Sequence, residues 1–360
     1  MKELLTAKRF GENSKELYTA FRDYFDHTQS IKGIVGKTFS AQSLDDKEKV
    51  INKLFAEELE KRSGIKMASS SDIAHYANNI VVKTYADEIV DAMIDMILPE
   101  VLLQSVGLIA DIRFLDWGDT ANFELENNAL FTVSQAGYRQ KNSIFQKQEN
   151  TNATLAPIAH QVAVITSLFN VLTGRDFIAK YVMKAVKSIE AQMLNEAYDA
   201  FVTAVTAGSV PSALKITTYT DESAITLAET VTAWNQNRKA VFVGTPVALK
   251  SLLPTNSNYR YTLDDTFVKL GYIPQFNNYD VVPMAQMADY TSTTYGLKLD
   301  DNKIFVVSPS SDKVIKIAVG GTMSITSGVY ENANLAQTGS IMKAYAVGAI
   351  TNSIAGYIAV

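Results

Sequence analysis

The sequence predicts an α+β fold, and three observations carry that prediction. Residues 1–100 read as charged amphipathic helices, residues 111–148 as short alternating β runs, and LTGRDFIAKYVMKAVKSIEAQMLNEAYDAF, from Leu172 to Phe201, as one helix of unusual length. A chain of 360 residues with 47% hydrophobic and 20% charged side chains can bury a sizeable core, so disorder is not its default.

The first hundred residues hold 31 of the 71 charged side chains, which places a change of character near residue 100. Ser43 followed by Asp46 is a capping-box-like start, Val50, Ile51, Leu54, Phe55 and Leu59 keep helical spacing, and Gly64 can supply a left-handed stop. A second helix follows the SSS run, with Ile73, Tyr76, Ile80, Val81, Ile89, Met93 and Ile97 on one stripe, and Pro99 is expected to end it. Helices with one apolar stripe must lie on another surface.

From Asp111 to Gln148 the runs DIRFLDW, NFELE, ALFTVS and NSIFQKQ are strand-like, and Phe123-Glu124-Leu125-Glu126 gives one apolar and one wet face. An isolated two-stranded ribbon is marginal in water. These residues carry too few apolar positions for a core of their own, so the ribbon needs another surface, that of another chain included.

The strand-like APIAHQVAVITSLFNV comes next. In the long helix after it, Thr173 is placed as N-cap with Asp176 at N3, while Leu172 and Phe177 hold staple positions. Ile178, Val182, Ala185, Ile189 and Met193 form its stripe, which Phe177, Tyr181, Val186, Leu194, Tyr198, Phe201 and Val205 widen before Gly208 and Pro211 end it. About 34 residues at ~1.5 Å each make a rod of ~50 Å, which crosses a whole domain and requires a sheet along its apolar side. Residues 211–330 then alternate element types: a helix around 222–237, the strand KAVFVG, a helix opened by Pro246, and the strands YDVVPM, KIFVVSP, KVIKIAVGG and TMSITSG.

Composition removes several function classes. The net charge is −5, with acids and bases interspersed, which is not the basic stripe that tight nucleic-acid binding needs. Without cysteine there are no disulfides, thiolate nucleophiles or cysteine-ligated metals. The N-terminus lacks an apolar signal region, which places synthesis in the cytoplasm. Ala344–Val360 is uncharged but contains Thr351, Asn352 and Ser353 and falls short of the ~20 apolar residues of a span, so it reads as buried strands.

Catalytic patterns are weak. Gly36-Lys37-Thr38 mimics a phosphate loop, yet the glycine expected at position 31 is at Gly33, and no strand precedes it. His27, His75 and His160 are scattered; His160 is the best general-base candidate of a cross-subunit hydrolase, but a satisfied strand histidine is the plainer reading. The acidic pairs at 45–46, 264–265 and 300–301 sit in turn-rich or helix-opening sequence, where solvated caps explain them. No catalytic, cofactor-binding or metal-ligating residues emerge. Aromatic residues on the ribbon and loops read either as partial core or as interface anchors.

The order of these parts resembles the major capsid protein of tailed bacteriophages, the Hong Kong 97 phage type: N-terminal arm, extended β-hairpin (E-loop), strand, rod-like helix, α+β insertion and a returning uncharged β segment. VFVGTPVALKSLL, LGYIPQFNNYDVVPM and QTGSIMKAYAVGAITNSIAGYIAV are similar to segments of that family, with Thr245-Pro246-Val247 departing from its commoner turn. The resemblance implies a helical N-terminal arm at 1–105, an E-loop at 106–155, a peripheral domain at 156–210 and 323–360 with its spine helix at 173–207, and an axial domain at 211–322. It implies a non-enzymatic protein, assembled in the host cytoplasm into pentamers and hexamers of an icosahedral or prolate shell, the virion capsid, around double-stranded DNA. Its partners would be copies of itself, with scaffold, portal and accessory capsid proteins; DNA would be enclosed without sequence-specific binding, and no membrane or cofactor is implied. The alternative is an encapsulin-like compartment around cargo enzymes. Trp117, Phe123, Leu125, Phe131, Tyr138, Arg139, Phe145, Tyr259, Tyr261 and Tyr272 are the subunit-interface candidates.

Overall fold

The structure is a computed structural model that describes residues 15–31, 43–67, 69–77, 79–107, 110–125, 131, 133, 147, 150–165, 168–207, 210–252, 270–284, 286–289, 294–309, 312–326 and 338–360. Gly33 and Gly36-Lys37-Thr38, like the acidic pair at 264–265, lie outside these residues.

Helix α1 spans Lys15–Ile31 and α2 spans Leu44–Ser63. The expected ends of α2 are present: the Ser43 hydroxyl accepts the Asp46 N–H, and Gly64 stops the helix at φ 70° while donating to the Glu60 carbonyl. The next expected helix is in fact two, α3 at Ser70–Tyr76 and α4 at Ile80–Val106, because Asn79 starts a new cap by accepting the Val81 N–H at 2.9 Å. Pro99 does not end α4; it lies inside it. An internal proline costs about 3 kcal/mol. Burial of Ile97, Leu98, Val101 and Leu102 around it outweighs that cost, since each such side chain contributes roughly 1.5–3 kcal/mol.

The long helix also starts later than expected. Thr173 is not its cap: its hydroxyl donates to the Phe169 carbonyl at 2.8 Å and closes a separate short helix, α5, at Leu168–Leu172. Gly174, at φ 73°, then turns the chain, and α6 runs from Ile178 to Thr206. Its 29 residues give a rod of about 43 Å at 1.5 Å per residue. Phe177 stands at its N-cap and supplies no side-chain acceptor. Asn52 of α2 does so instead, its Oδ1 accepting the Ile178 N–H at 3.0 Å while its Nδ2 donates to the Asp176 carbonyl at 2.8 Å. Asn52→Ala removes this cap, and a loss of about 1–2 kcal/mol is expected, read as a lower denaturant midpoint with an unchanged slope.

The strands are β1 Ala110–Phe114, β2 Ala121–Leu125, β3 Thr151–Leu155, β4 Ile158–Ile165, β5 Lys215–Ile216, β6 Val241–Gly244, β7 Gln275–Phe276, β8 Tyr279–Pro283, β9 Lys303–Val307, β10 Ile315–Thr326, β11 Thr338–Ala349 and β12 Gly356–Ala359. Among the described residues they form a four-stranded sheet ordered β1-β10-β11-β4, a six-stranded sheet ordered β5-β12-β9-β6-β8-β7, and the ribbon β2-β3. Helices α7, Asp221–Trp234, and α8, Pro246–Leu249, cover one face of the six-stranded sheet. Both have local caps: Thr220 pairs reciprocally with Ser223, and Thr245 accepts the Ala248 N–H ahead of Pro246.

Two expected divisions are corrected by strand pairing. The boundary between 322 and 323 falls inside β10, and the C-terminal β12 joins the six-stranded sheet, pairing with β5 and β9. Asn235 fixes that crossing: its side chain accepts the Ile354 N–H and donates to the Ile354 carbonyl. DIRF is likewise not ribbon, because β1 pairs in parallel with β10 from Ala110↔Ile315 to Phe114↔Val319.

The described helices of the first hundred residues are part of the main core. Phe21, Phe25, Ile51, Phe55, Leu59, Ile89 and Met93 are buried in one cluster with Val182, Val186, Ile189 and Met193 of α6 and with Ile315, Ile317 and Tyr345 of the four-stranded sheet. Glu48 binds the layers together, accepting the Tyr24 hydroxyl at 2.8 Å and pairing with Lys180 of α6 at 2.8 Å. At its other end α6 meets the six-stranded sheet. Phe201 packs edge-on against Phe305 with centroids 4.7 Å apart, and the Tyr198 hydroxyl accepts the Asp300 N–H at 2.9 Å. The rod is therefore a strut that fixes one sheet relative to the other.

Candidate assembly interface

The ribbon is rooted on the four-stranded sheet, on the face opposite α4 and α6. Along β10, Ile315, Ile317 and Val319 point into the helical core, so Lys316 and Ala318 point the other way. There Ala121 and Phe123 of β2 pack on Ala318, flanked by Leu115 and Leu155. The Phe123 ring lies between two cations, with the Arg113 guanidinium 4.5 Å and the Lys316 ammonium 5.5 Å from its centroid. Arg113 also donates to the Asn122 carbonyl. Lys316 is almost fully buried and is neutralised by Asp312, with Asp111 at 3.8 Å.

Trp117 closes the root. A Cβ placed on Gly321 would stand 2.3 Å from the Trp117 indole nitrogen, so only glycine lets the indole lie so close to β10. Gly321→Ala is expected to cost about 1–3 kcal/mol and to displace the indole, read as a shift in tryptophan emission.

The candidates therefore separate. Phe123 and Leu125 are buried within their own chain, which corrects their expected place at an intersubunit surface: alternation aims both at the sheet under the ribbon. Trp117 is partly exposed, and one side of its ring is taken by Gly321. Tyr272 packs half-buried against the core under α7 and α8. Phe131 is 56% exposed and Val133 94% exposed, both beyond the ribbon root. Tyr138, Arg139, Phe145, Tyr259 and Tyr261 lie outside the described residues.

His160 stacks on Tyr345 with ring centroids 3.7 Å apart, and the Tyr345 hydroxyl donates to Glu196 of α6 at 3.0 Å. Burial, and next the Glu196 carboxylate, push the Tyr345 phenol far above its usual range, so it stays a neutral donor. The histidine thus lies on an aromatic packing surface between β4 and β11. Among the described residues no cluster of His, Asp and Glu could hold a metal, and no helix is long and apolar enough to cross a membrane.

Sequence reasoning missed exposed apolar positions, among them Ile158 on β4 and Tyr295, which is 96% exposed at φ 55°. The charge-free run IAHQVAVI was a signal for the first; nothing local marks the second.

No family model matches this chain, and no curated protein sequence matches it. Solved structures similar to it include phage and GTA-particle capsids and a virus-like particle. The capsid of a native GTA particle shares 11% identity over 72% of this chain and 90% of that one, with a TM-score of 0.48. The capsid of cyanophage P-SCSP1u shares 11% over 70% and 86%, with a TM-score of 0.43. The virus-like particle from Pyrococcus furiosus shares 8% over 72% and 95%, with a TM-score of 0.39.

Proposed function

We propose that this chain is the major capsid protein of a tailed phage, which assembles through pentamers and hexamers into an icosahedral or prolate shell around double-stranded DNA. The observation that carries this reading is the ribbon. Its root is held by Trp117, Phe123 and Leu125, while Phe131 and Val133 beyond the root are left unsheltered by their own chain. A limb that is fixed in direction and apolar where it leaves the body is suited to lie across a sister copy.

The strut α6 supports the same reading. It holds the six-stranded sheet, proposed as the axial body, at a set distance from the four-stranded sheet, proposed as the peripheral one. Identical head-to-tail contacts between such rigid wedges close into rings. Obligate contacts of this kind bury about 2,000–5,000 Å² in total, which suffices without a covalent link. The helices of residues 15–106 belong to the body in this scheme, and scaffold, portal and accessory capsid proteins are the further partners.

The test is purification followed by negative-stain microscopy, with scaffold supplied, and analysis of the contents. Closed shells containing DNA are expected from infected cells. Discrete monomers at high concentration would sink the proposal, and a protein cargo in place of DNA would replace it with an encapsulin-like compartment.

A further inference from the structure

Of the outer edges of the two larger sheets, one is unguarded among the described residues. A free edge offers a row of unpaired N–H and C=O groups to another extended chain, and proteins blunt it by shortening, charging, bulging or covering it. The six-stranded sheet ends in β5 and β7, of two residues each. The four-stranded sheet ends on one side in β1, which carries Asp111 and Arg113.

Its other edge, β4, runs for eight residues, IAHQVAVI, without lysine, arginine, acid or proline. Its register with β11 is continuous from Thr338↔Ile165 to Tyr345↔Ile158, so no bulge turns the edge away. Ile158 is 68% exposed, and Ala159 and Gln161 are exposed beside it.

We propose that β4 pairs antiparallel with β4 of a second copy, about a two-fold axis through Gln161, and so joins two four-stranded sheets into one continuous sheet. Like charges set directly opposite each other destabilise a strand pair, and self-pairing would oppose every charge on an edge with its own kind. An edge without charge escapes that penalty, and β4 is such an edge. The pleat sets the register. Residues opposite each other in an antiparallel pair point to the same face, so the axis passes through a residue and not between two. An axis through Gln161 sets Ile158 opposite residue 164 and His160 opposite Val162, which brings the exposed Ile158 into the pairing; an axis through Val162 leaves it outside. The helices leave room for the contact. Helix α6 lies over β11 and β10. The two β11 strands would stand three strand spacings apart, ~14 Å, against the roughly 8–10 Å that packed helices need. Ile158, His160 and Val162 of both copies lie in that space, on the face where His160 stacks on Tyr345. The inference rests on the shell reading: head-to-tail contacts close each ring, and an isologous contact of this kind joins one ring to the next.

The chain has no cysteine, so a single introduced cysteine reports on the axis. Gln161 and Ile158 are exposed, so replacing either leaves the core intact. Particles of Gln161→Cys are treated with a short bis-maleimide, and a covalent dimer is expected on a denaturing gel. Ile158→Cys is the control: across this axis its two copies are offset by about 20 Å along the strands, and no dimer is expected. Assembly is also expected to slow amide exchange of residues 158–165 by about tenfold or more. Bridging of Ile158→Cys in place of Gln161→Cys would overturn the register. Slowed exchange without a bridge at either position would overturn β4 as the partner strand. Particles whose 158–165 amides exchange as fast as in free chain would overturn the edge contact and leave the shell reading standing. Failure of the unmodified chain to form particles would remove the shell reading, and this contact with it.

Discussion

A chain in which residues 126–150 are replaced by an Asn-Gly turn is expected to fold normally and to form no particles. Leu125 and Thr151 face each other at the distal end of the described ribbon, so a two-residue turn can join them without changing register. Everything that roots the ribbon stays: Phe123 on Ala318, Trp117 on Gly321 and the Arg113 contact to Asn122. A cut made further in, at Asn122, would strip Phe123 from that small core. It would then damage folding for a reason unrelated to assembly, at about 3–5 kcal/mol for a buried phenylalanine. The measurements are a cooperative thermal transition matching the parent chain and an empty grid in negative stain with scaffold present. Particles from the shortened chain would show that the ribbon is not the assembly limb. Loss of cooperative unfolding would show that its distal half belongs to the body.

Local signals in the sequence were readable where one residue's chemistry settles the structure. Ser43 and Gly64 each fix a helix end through a hydrogen bond or backbone angle that short spacing reveals. The apolar stripe of α6 was readable for the same reason, since a 3.6-residue period is a local property. Its start was not. Asn52 caps Ile178 from 126 residues away, and no window of sequence around Thr173 contains that partner. Pro99 misled because its penalty is local while the burial that outweighs it comes from the whole core. Alternation in Phe123-Glu124-Leu125 correctly gave one apolar face, but not the identity of what covers it, and the cover turned out to be β10 of the same chain. Among the described candidates, Phe131 and in part Trp117 are left exposed by their own chain, as is Val133 near the first.

Asp95→Ala is expected to destabilise the fold by about 3–5 kcal/mol, a large share of the roughly 5–15 kcal/mol that holds a typical domain together. Asp95 on α4 accepts the Lys343 ammonium of β11 at 2.7 Å and the Thr322 hydroxyl of β10, while Lys343 also reaches the Thr322 hydroxyl at 3.0 Å. Lys343 is 4% exposed, so removing the carboxylate strands an ammonium in the core with one neutral oxygen beside it. The register of β10 against β11 shifts between Val319 and Thr322, which turns Thr322 toward the helices, and Gly321 beneath Trp117 lies within that shift. The polar cluster thus locks the strand irregularity on which the ribbon root depends. Adding Lys343→Met to Asp95→Ala removes the stranded charge at similar volume and is expected to recover most of the loss in chemical denaturation. If the pair is only a stabilising contact, the rescued double variant should assemble like the parent. If it sets the irregularity, that variant should fold stably yet show altered Trp117 emission and impaired particle formation, because the root would then rest on a β10 free to change register.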